Sequence, residues 1–252
     1  MTRVVMVHGA FNELWGPNEL KARWLPALRD GLAHHGGWVE RDEVSVCFYG
    51  DLFRLDPEQV DPTQWEASRA GASEMLESFA GGGGLETLGQ AASEAAFERT
   101  VDMVTILTTR PEVASVPRQR LVEAIGDAAA VVVAHSLGTV IAYNTLVEHP
   151  ELQVDTLVTL GSPLGSPISD SMLPPSGPDG LKPWPAGLRR WVNVAAVGDL
   201  ATGEGVLSAR FGEHVEDRRV DNGHRAHDPE PYLNNPKTGE AVLSALQRAQ
   251  GV

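Results

Sequence analysis

The chain has 252 residues, is 42% hydrophobic and carries a formal net charge of -14. That length and apolar content allow one large or two small domains with a substantial buried core, and no segment has the apolar poverty of a disordered chain. The acidity, with no local cluster of Lys and Arg to reverse it, excludes the electrostatic footprint of a nucleic-acid binder and reads as a solubility feature.

The N-terminus, MTRVVMVHGAF, is too short in its apolar part for a signal peptide, and no run approaches the length of a membrane span, so a cytoplasmic protein is expected. Short β-branched runs bounded by turn residues predict buried strands at 3–7, 44–49, 130–134, 154–160 and 191–197. A sixth at 214–220 carries charges that suit a sheet edge. The single cysteine, Cys47, excludes an internal disulfide framework and a cysteine-based metal cluster, and within VSVCFY it reads as a buried strand residue.

Leu20, Trp24, Leu28 and Leu32 recur at four-residue spacing and predict a helix after the first strand; Leu137, Ile141 and Leu146 predict another after the third. A last helix is expected from about Lys237 to Gln247, with Ala241, Val242, Ala245 and Leu246 facing inward. Strands alternating with helices predict an α/β domain over residues 1–252, a mostly parallel sheet of about six strands with helices on both faces.

Two segments fit the alternation poorly. Residues 51–117 hold helix-like runs around a Gly81 to Gly84 linker, more than one crossover needs, and are expected to form a helical cap over one end of the sheet. Its apolar residues Trp65, Met75, Leu76, Phe79, Phe97, Met103 and Ile106 hint at a lipophilic acyl group, although the cap's own core explains them better. Residues 163–189, rich in Pro, Gly and Ser, predict a long active-site loop.

In an open α/β sheet ligands meet the carboxyl ends of the strands, so chemistry is sought in the residues that follow each strand. After the third comes VVVAHSLGTV, which places Ser136 between Ala134 and Gly138. Small residues two before and two after a serine let strand and helix pass close together, so that the turn presents the hydroxyl. The bland alternative is a serine capping the helix. Alanine stands where glycine is usual, and its methyl should crowd the turn slightly. The first strand ends in His8-Gly9-Ala10. Acyl transfer passes through an oxyanion, and the N–H groups of Leu137 and Ala10 are the expected donors to it, with His8 as a loop organiser. His135 is expected to pack under the turn.

VHGAF, VVVAHSLGT and VTLGSPLGSP together resemble the α/β-hydrolase family, in particular its lipase and esterase branches. The first strand here looks like that family's third, which implies a compact member without the two leading strands. The resemblance implies a triad in the chain order Ser, acid, His. The acid position falls in the loop after WVNVAAV and implies Asp199, with Asp221 in reserve. The base lies in GHRAHDPEPYL, where His227 is preferred and His224 is the reserve, because family members carry the base a few residues before a Tyr-Leu that begins the final helix.

The expected activity is therefore hydrolysis of an ester or thioester acyl bond in a small-molecule substrate through an acyl-enzyme. An acyltransferase, cyclase or amidase would use the same residues, and a non-catalytic binding protein on the same fold is the rival from another class. No cofactor is implied. No metal is implied either, since His224 and His227 lack a third matching ligand in sequence. The oligomeric state is not readable from the chain.

Overall fold

The structure is a computed structural model and describes residues 3–54, 56, 58, 60–80, 98, 101–102, 105–106 and 109–251. Six strands form one sheet: β1 (Val4–Val7), β2 (Val44–Cys47), β3 (Ala128–His135), β4 (Gln153–Leu160), β5 (Leu188–Ala196) and β6 (Val215–Val220). Every pairing is parallel and the spatial order is β2-β1-β3-β4-β5-β6. The charged β6 pairs only with β5, so it is an edge, as its sequence predicts. β3 and β5 begin ahead of their β-branched runs, at Ala128 and Leu188, where the sequence (AAA, LRR) gives no strand signal of its own.

Among the described residues seven helices can be given bounds: α1 (Pro17–Ala33), α2 (Pro62–Ala80), α3 (Pro111–Ile125), α4 (Leu137–Glu148), α5 (Ser208–Phe211), α6 (Pro229–Leu233) and α7 (Pro236–Ala249). Period-two alternation along the central strands divides the core in two. Val5, Val7, Val132 and Ala134 face one side with α3 and α4. Val4, Met6, Val131 and Val133 face the other with α1 and α7. The four leucine and tryptophan positions of α1 are all buried, as are Ala241, Val242, Ala245 and Leu246 of α7. Pro at N1 and capping by the Asn235 side chain, which accepts from Lys237 N–H at 3.0 Å, begin α7 a residue before its expected start.

The expected cap segment contributes α2 and part of α3 to what is described. Ile106 belongs to the α3/α4 core and Trp65 packs against it, so both serve the sheet's own core. Gly81 to Gly84, Phe97 and Met103 lie outside the described residues, as do the side chains of Met75, Leu76 and Phe79. Residues 163–189 contain two short 3-10 turns, Pro163–Gly165 and Pro167–Met172, and end in the start of β5. Cys47 is buried, and burial pushes its thiol up to about 12. Among the described residues no helix is long and apolar enough to cross a membrane.

The strand order fixes where a site can form. The chain leaves β1 toward β2 on one side and returns to β3 on the other, so the connections diverge above the carboxyl ends of β1 and β3 and leave a crevice there. Val7 pairs with Ala134 in register, which brings His8 and Gly9 beside His135 and Ser136.

Candidate active site

Ser136 sits between β3 and α4 with φ 53° and ψ -129°, one of two non-glycine residues with positive φ among those described. Such a conformation costs on the order of 1–3 kcal/mol and persists only where its surroundings impose it. Here the surroundings are backbone. A Cβ on Gly138 would lie 2.4 Å from the His8 carbonyl oxygen and 2.7 Å from that of Val7, so only glycine lets α4 begin this close to β1. Ala134 lies within β3, with its methyl fully buried in the α3/α4 core. Ser136 N–H donates to the Leu160 carbonyl at 3.0 Å. Thr139 Oγ1 donates to the Ser136 carbonyl at 2.7 Å, and Ser162 Oγ donates to Thr139 Oγ1 at 2.8 Å. These bonds tie the turn to the end of β4.

The Ser136 side chain makes no helix-capping hydrogen bond. Its hydroxyl lies 3.0 Å from His227 Nε2, and His227 Nδ1 lies 2.9 and 3.0 Å from the two oxygens of Asp199. A carboxylate can only accept, so Nδ1 carries the proton and Nε2 is the acceptor for the serine O–H. Asp199 has a fully buried side chain, whereas that of His227 is 43% exposed. Burial alone would raise the Asp199 carboxyl. The hydrogen bond and charge of His227, the Tyr232 hydroxyl (2.6 Å) and the Ala201 N–H (3.0 Å) overcome it and hold the carboxyl below its ordinary value.

The reserve positions lie apart from this chain of bonds. Asp221 accepts from Gly223 N–H at 2.8 Å, and His224 is exposed in the turn Gly223–Arg225. Neither bonds to Ser136, His227 or Asp199.

His135 reaches farther than packing under the turn. Its Nε2–H donates to the backbone carbonyl of His227 at 2.8 Å, and its ring stands 4.9 Å from the His227 ring. Burial, reinforced by the nearby His227, pushes the His135 imidazole down to about 3, so it stays neutral and holds the loop of His227 in place.

No family model matches the chain, and no curated protein matches it.

The loop after β1 completes the arrangement. A Cβ on Gly9 would meet the Ser136 Cβ at 2.7 Å, so this loop passes directly against the serine. His8 is buried, donates from Nδ1 to the Gly9 carbonyl at 2.6 Å and accepts at Nε2 from Tyr49 N–H at 3.0 Å. Burial pushes it down to about 4, and both ring nitrogens are engaged in the neutral tautomer. Leu137 opens α4, so its N–H has no acceptor within the helix and is free to serve a ligand beside Ser136. Ala10 lines the same cavity as Ser136 and His227. That cavity has a volume of about 230 Å³ and is walled by Phe11, Trp15, Trp24 and Arg23. A larger hollow of about 540 Å³, at the opposite end of the sheet beside Arg3 and Gln153, contains no comparable convergence of reactive groups.

Sequence reasoning missed four contributors. Tyr232 donates to Asp199 while accepting from Ala196 N–H at 2.8 Å; the Tyr-Leu pair closes α6 instead of opening the final helix. Gly161, at φ 56°, lies under the Asp199–His227 contact, where a Cβ would stand 2.9 Å from Asp199 Oδ2 and 3.3 Å from His227 Nδ1. Tyr49 and Asn12 brace the loop after β1. Gly161 alone had a local signal, the glycine following a strand in VTLGSP; Tyr232 and Tyr49 act across long sequence separations, and Asn12 acts on nearby backbone carbonyls.

Proposed function

We propose that the chain is a serine hydrolase of ester or thioester bonds, a compact relative of the α/β-hydrolases in the manner of lipases and esterases. One observation carries this reading: the unbroken hydrogen-bond chain from Ser136 through His227 to Asp199, built on a strained turn whose serine caps nothing. A serine hydroxyl is a weak nucleophile until a base takes its proton, and His227 Nε2 is at bonding distance to do so. As Ser136 Oγ attacks the acyl carbon, its proton passes to His227, and Asp199 stabilises the imidazolium without itself taking the proton. The carbonyl oxygen becomes an oxyanion that accepts from the N–H groups of Leu137 and Ala10. Collapse returns the proton from His227 to the leaving oxygen or sulfur, and the acyl group remains on Ser136.

Deacylation repeats the sequence with water as the nucleophile, activated by the same Nε2. The exposure of His227 supports water as the acceptor over transfer to a second substrate, since an open site does not exclude it. The small, partly aromatic cavity suits a short acyl group.

The test is turnover of p-nitrophenyl esters of graded chain length. Wild type should hydrolyse short-chain esters best, and His227→Ala should abolish that turnover while His224→Ala leaves most of it. Equal activity of His227→Ala and wild type would remove the proposed base and the mechanism with it.

A further inference from the structure

We propose that Asn12 is the positioning residue that sets the direction of the Ala10 N–H, one of the two oxyanion donors; this rests on the acyl-transfer reading of Ser136. Across a trans peptide the C=O and N–H point in opposite directions, so anchoring the carbonyl of one residue aims the N–H of the next. The Asn12 amide nitrogen donates to the Gly9 carbonyl at 3.1 Å and to the Ala10 carbonyl at 2.9 Å. An amide nitrogen has two protons, and both are used here on successive carbonyls. The Gly9 carbonyl is also held by His8 Nδ1 at 2.6 Å, so the peptide that carries Ala10 N–H is pinned from two sides.

Asn12 is itself wedged. Its carbonyl accepts from Trp15 N–H at 3.1 Å, and a Cβ on Gly50 would lie 2.5 Å from that oxygen, so the loop is pressed onto the chain that leaves β2. Tyr49, next to Gly50, holds His8 through its backbone N–H and by ring stacking at 3.9 Å. The turn thus has a rigid brace, and the Asn12 side chain transmits it to the Gly9 and Ala10 carbonyls. Donors fixed before substrate arrives require no reorganisation as charge develops on the oxygen, which is where their contribution to rate lies.

The experiment compares two substrates that differ at one atom, a p-nitrophenyl ester and its thiono analogue with C=S in place of C=O. Sulfur is a larger and weaker acceptor, so the thionoester gains little from N–H groups placed for oxygen, and a defect confined to those donors should be muted on it. Asn12→Ala should lower kcat on the oxygen ester by on the order of 10–100-fold with KM nearly unchanged, a loss seen only in the transition state. On the thionoester the fall should be only a few-fold. Asn12→Ser, which retains one donor, should lie between wild type and Asn12→Ala, and it carries the test if Asn12→Ala fails to fold.

An equal fall on both substrates would reduce Asn12 to a general structural role and overturn the proposal. So would unchanged kcat in both variants while Ser136→Ala is inactive, and in that case the hydrolase reading would stand. Full activity in Ser136→Ala would instead overturn that reading, and the proposal with it.

Discussion

The two halves of the candidate site are held together by different means. Around β1 and β3 the parts are fixed by backbone against backbone: Gly138 against the carbonyls of Val7 and His8, Gly9 against Ser136, and the strained turn between strand and helix. Around β5 and the loop before α6 they are fixed by side-chain donors, Tyr232 on Asp199 and His135 on the carbonyl of His227. On the proposed reading, the backbone half aims the nucleophile and its oxyanion donors, groups that must not move, and the side-chain half holds the acid and the base, groups whose charge must be tuned.

The largest expected effect comes from the reacting atom itself. Ser136→Ala should cost roughly 10⁴–10⁶ in kcat on a p-nitrophenyl ester without loss of folded structure by circular dichroism. Relief of the strained turn should if anything stabilise the protein if Gly is placed there instead, so Ser136→Gly should unfold at an equal or higher temperature while remaining inactive. Asp199→Asn should cost about 10⁴-fold in kcat, because an amide can present a donor to His227 Nδ1 and favour the wrong tautomer. A fall of less than tenfold would show that the acid half is dispensable.

Gly161→Ala probes the boundary between the halves. Its methyl would enter the space between Asp199 and His227 at a backbone conformation alanine rarely adopts. Kcat should fall by at least tenfold, with a loss of about 1–3 kcal/mol in unfolding free energy by urea denaturation. Normal kcat would mean that the Asp199–His227 geometry is not needed.

Tyr232→Phe should produce the smallest loss, a few-fold in kcat, and a more informative shift. The phenol hydroxyl favours the charged form of Asp199. Removing it leaves the carboxylate more basic and better able to stabilise the His227 imidazolium. The acid limb of kcat/KM should therefore move to higher pH, and an unchanged limb would reduce Tyr232 to packing.

The same contrast predicts how acid acts on folding. Asp199 is held below its ordinary value, so its contribution to stability is present above the unfolded carboxyl value of about 3.9 and fades as pH falls through the lower folded value. His8 is also depressed, to about 4, but a depressed histidine works the other way, because the unfolded chain takes up its proton first. Between an unfolded value of about 6.5 and pH 4, His8 should remove roughly 3 kcal/mol of stability as pH falls. A urea midpoint that stays constant from pH 7 to pH 4 would contradict a neutral, doubly bonded His8.

The halves also differ in how far the sequence disclosed them. Backbone approach demands small residues at fixed offsets, so VHGA and AHSLG could be read from the chain, and Ser136 with them. The strands were legible for a similar reason, since burial on both faces demands unbroken β-branched runs. The side-chain half leaves no such imprint. Tyr232 and Asp199 are separated by 33 positions, and His135 and the His227 carbonyl by 92, so nothing local marks them as partners. Asp199 and His227 were preferred through chain order and resemblance, and the alternatives Asp221 and His224 differ from them only in where the loops fold. Asn12 was invisible because its work is done on carbonyls, which every residue has.

The central claim is that Ser136 is a nucleophile activated by His227, and one measurement addresses it most directly. A fluorophosphonate probe should react with wild type to one adduct per chain, located at Ser136 by peptide mass spectrometry, with no adduct on Ser136→Ala and a labelling rate far lower on His227→Ala. Folded wild type that takes up no probe, or a label that persists on Ser136→Ala, would contradict it.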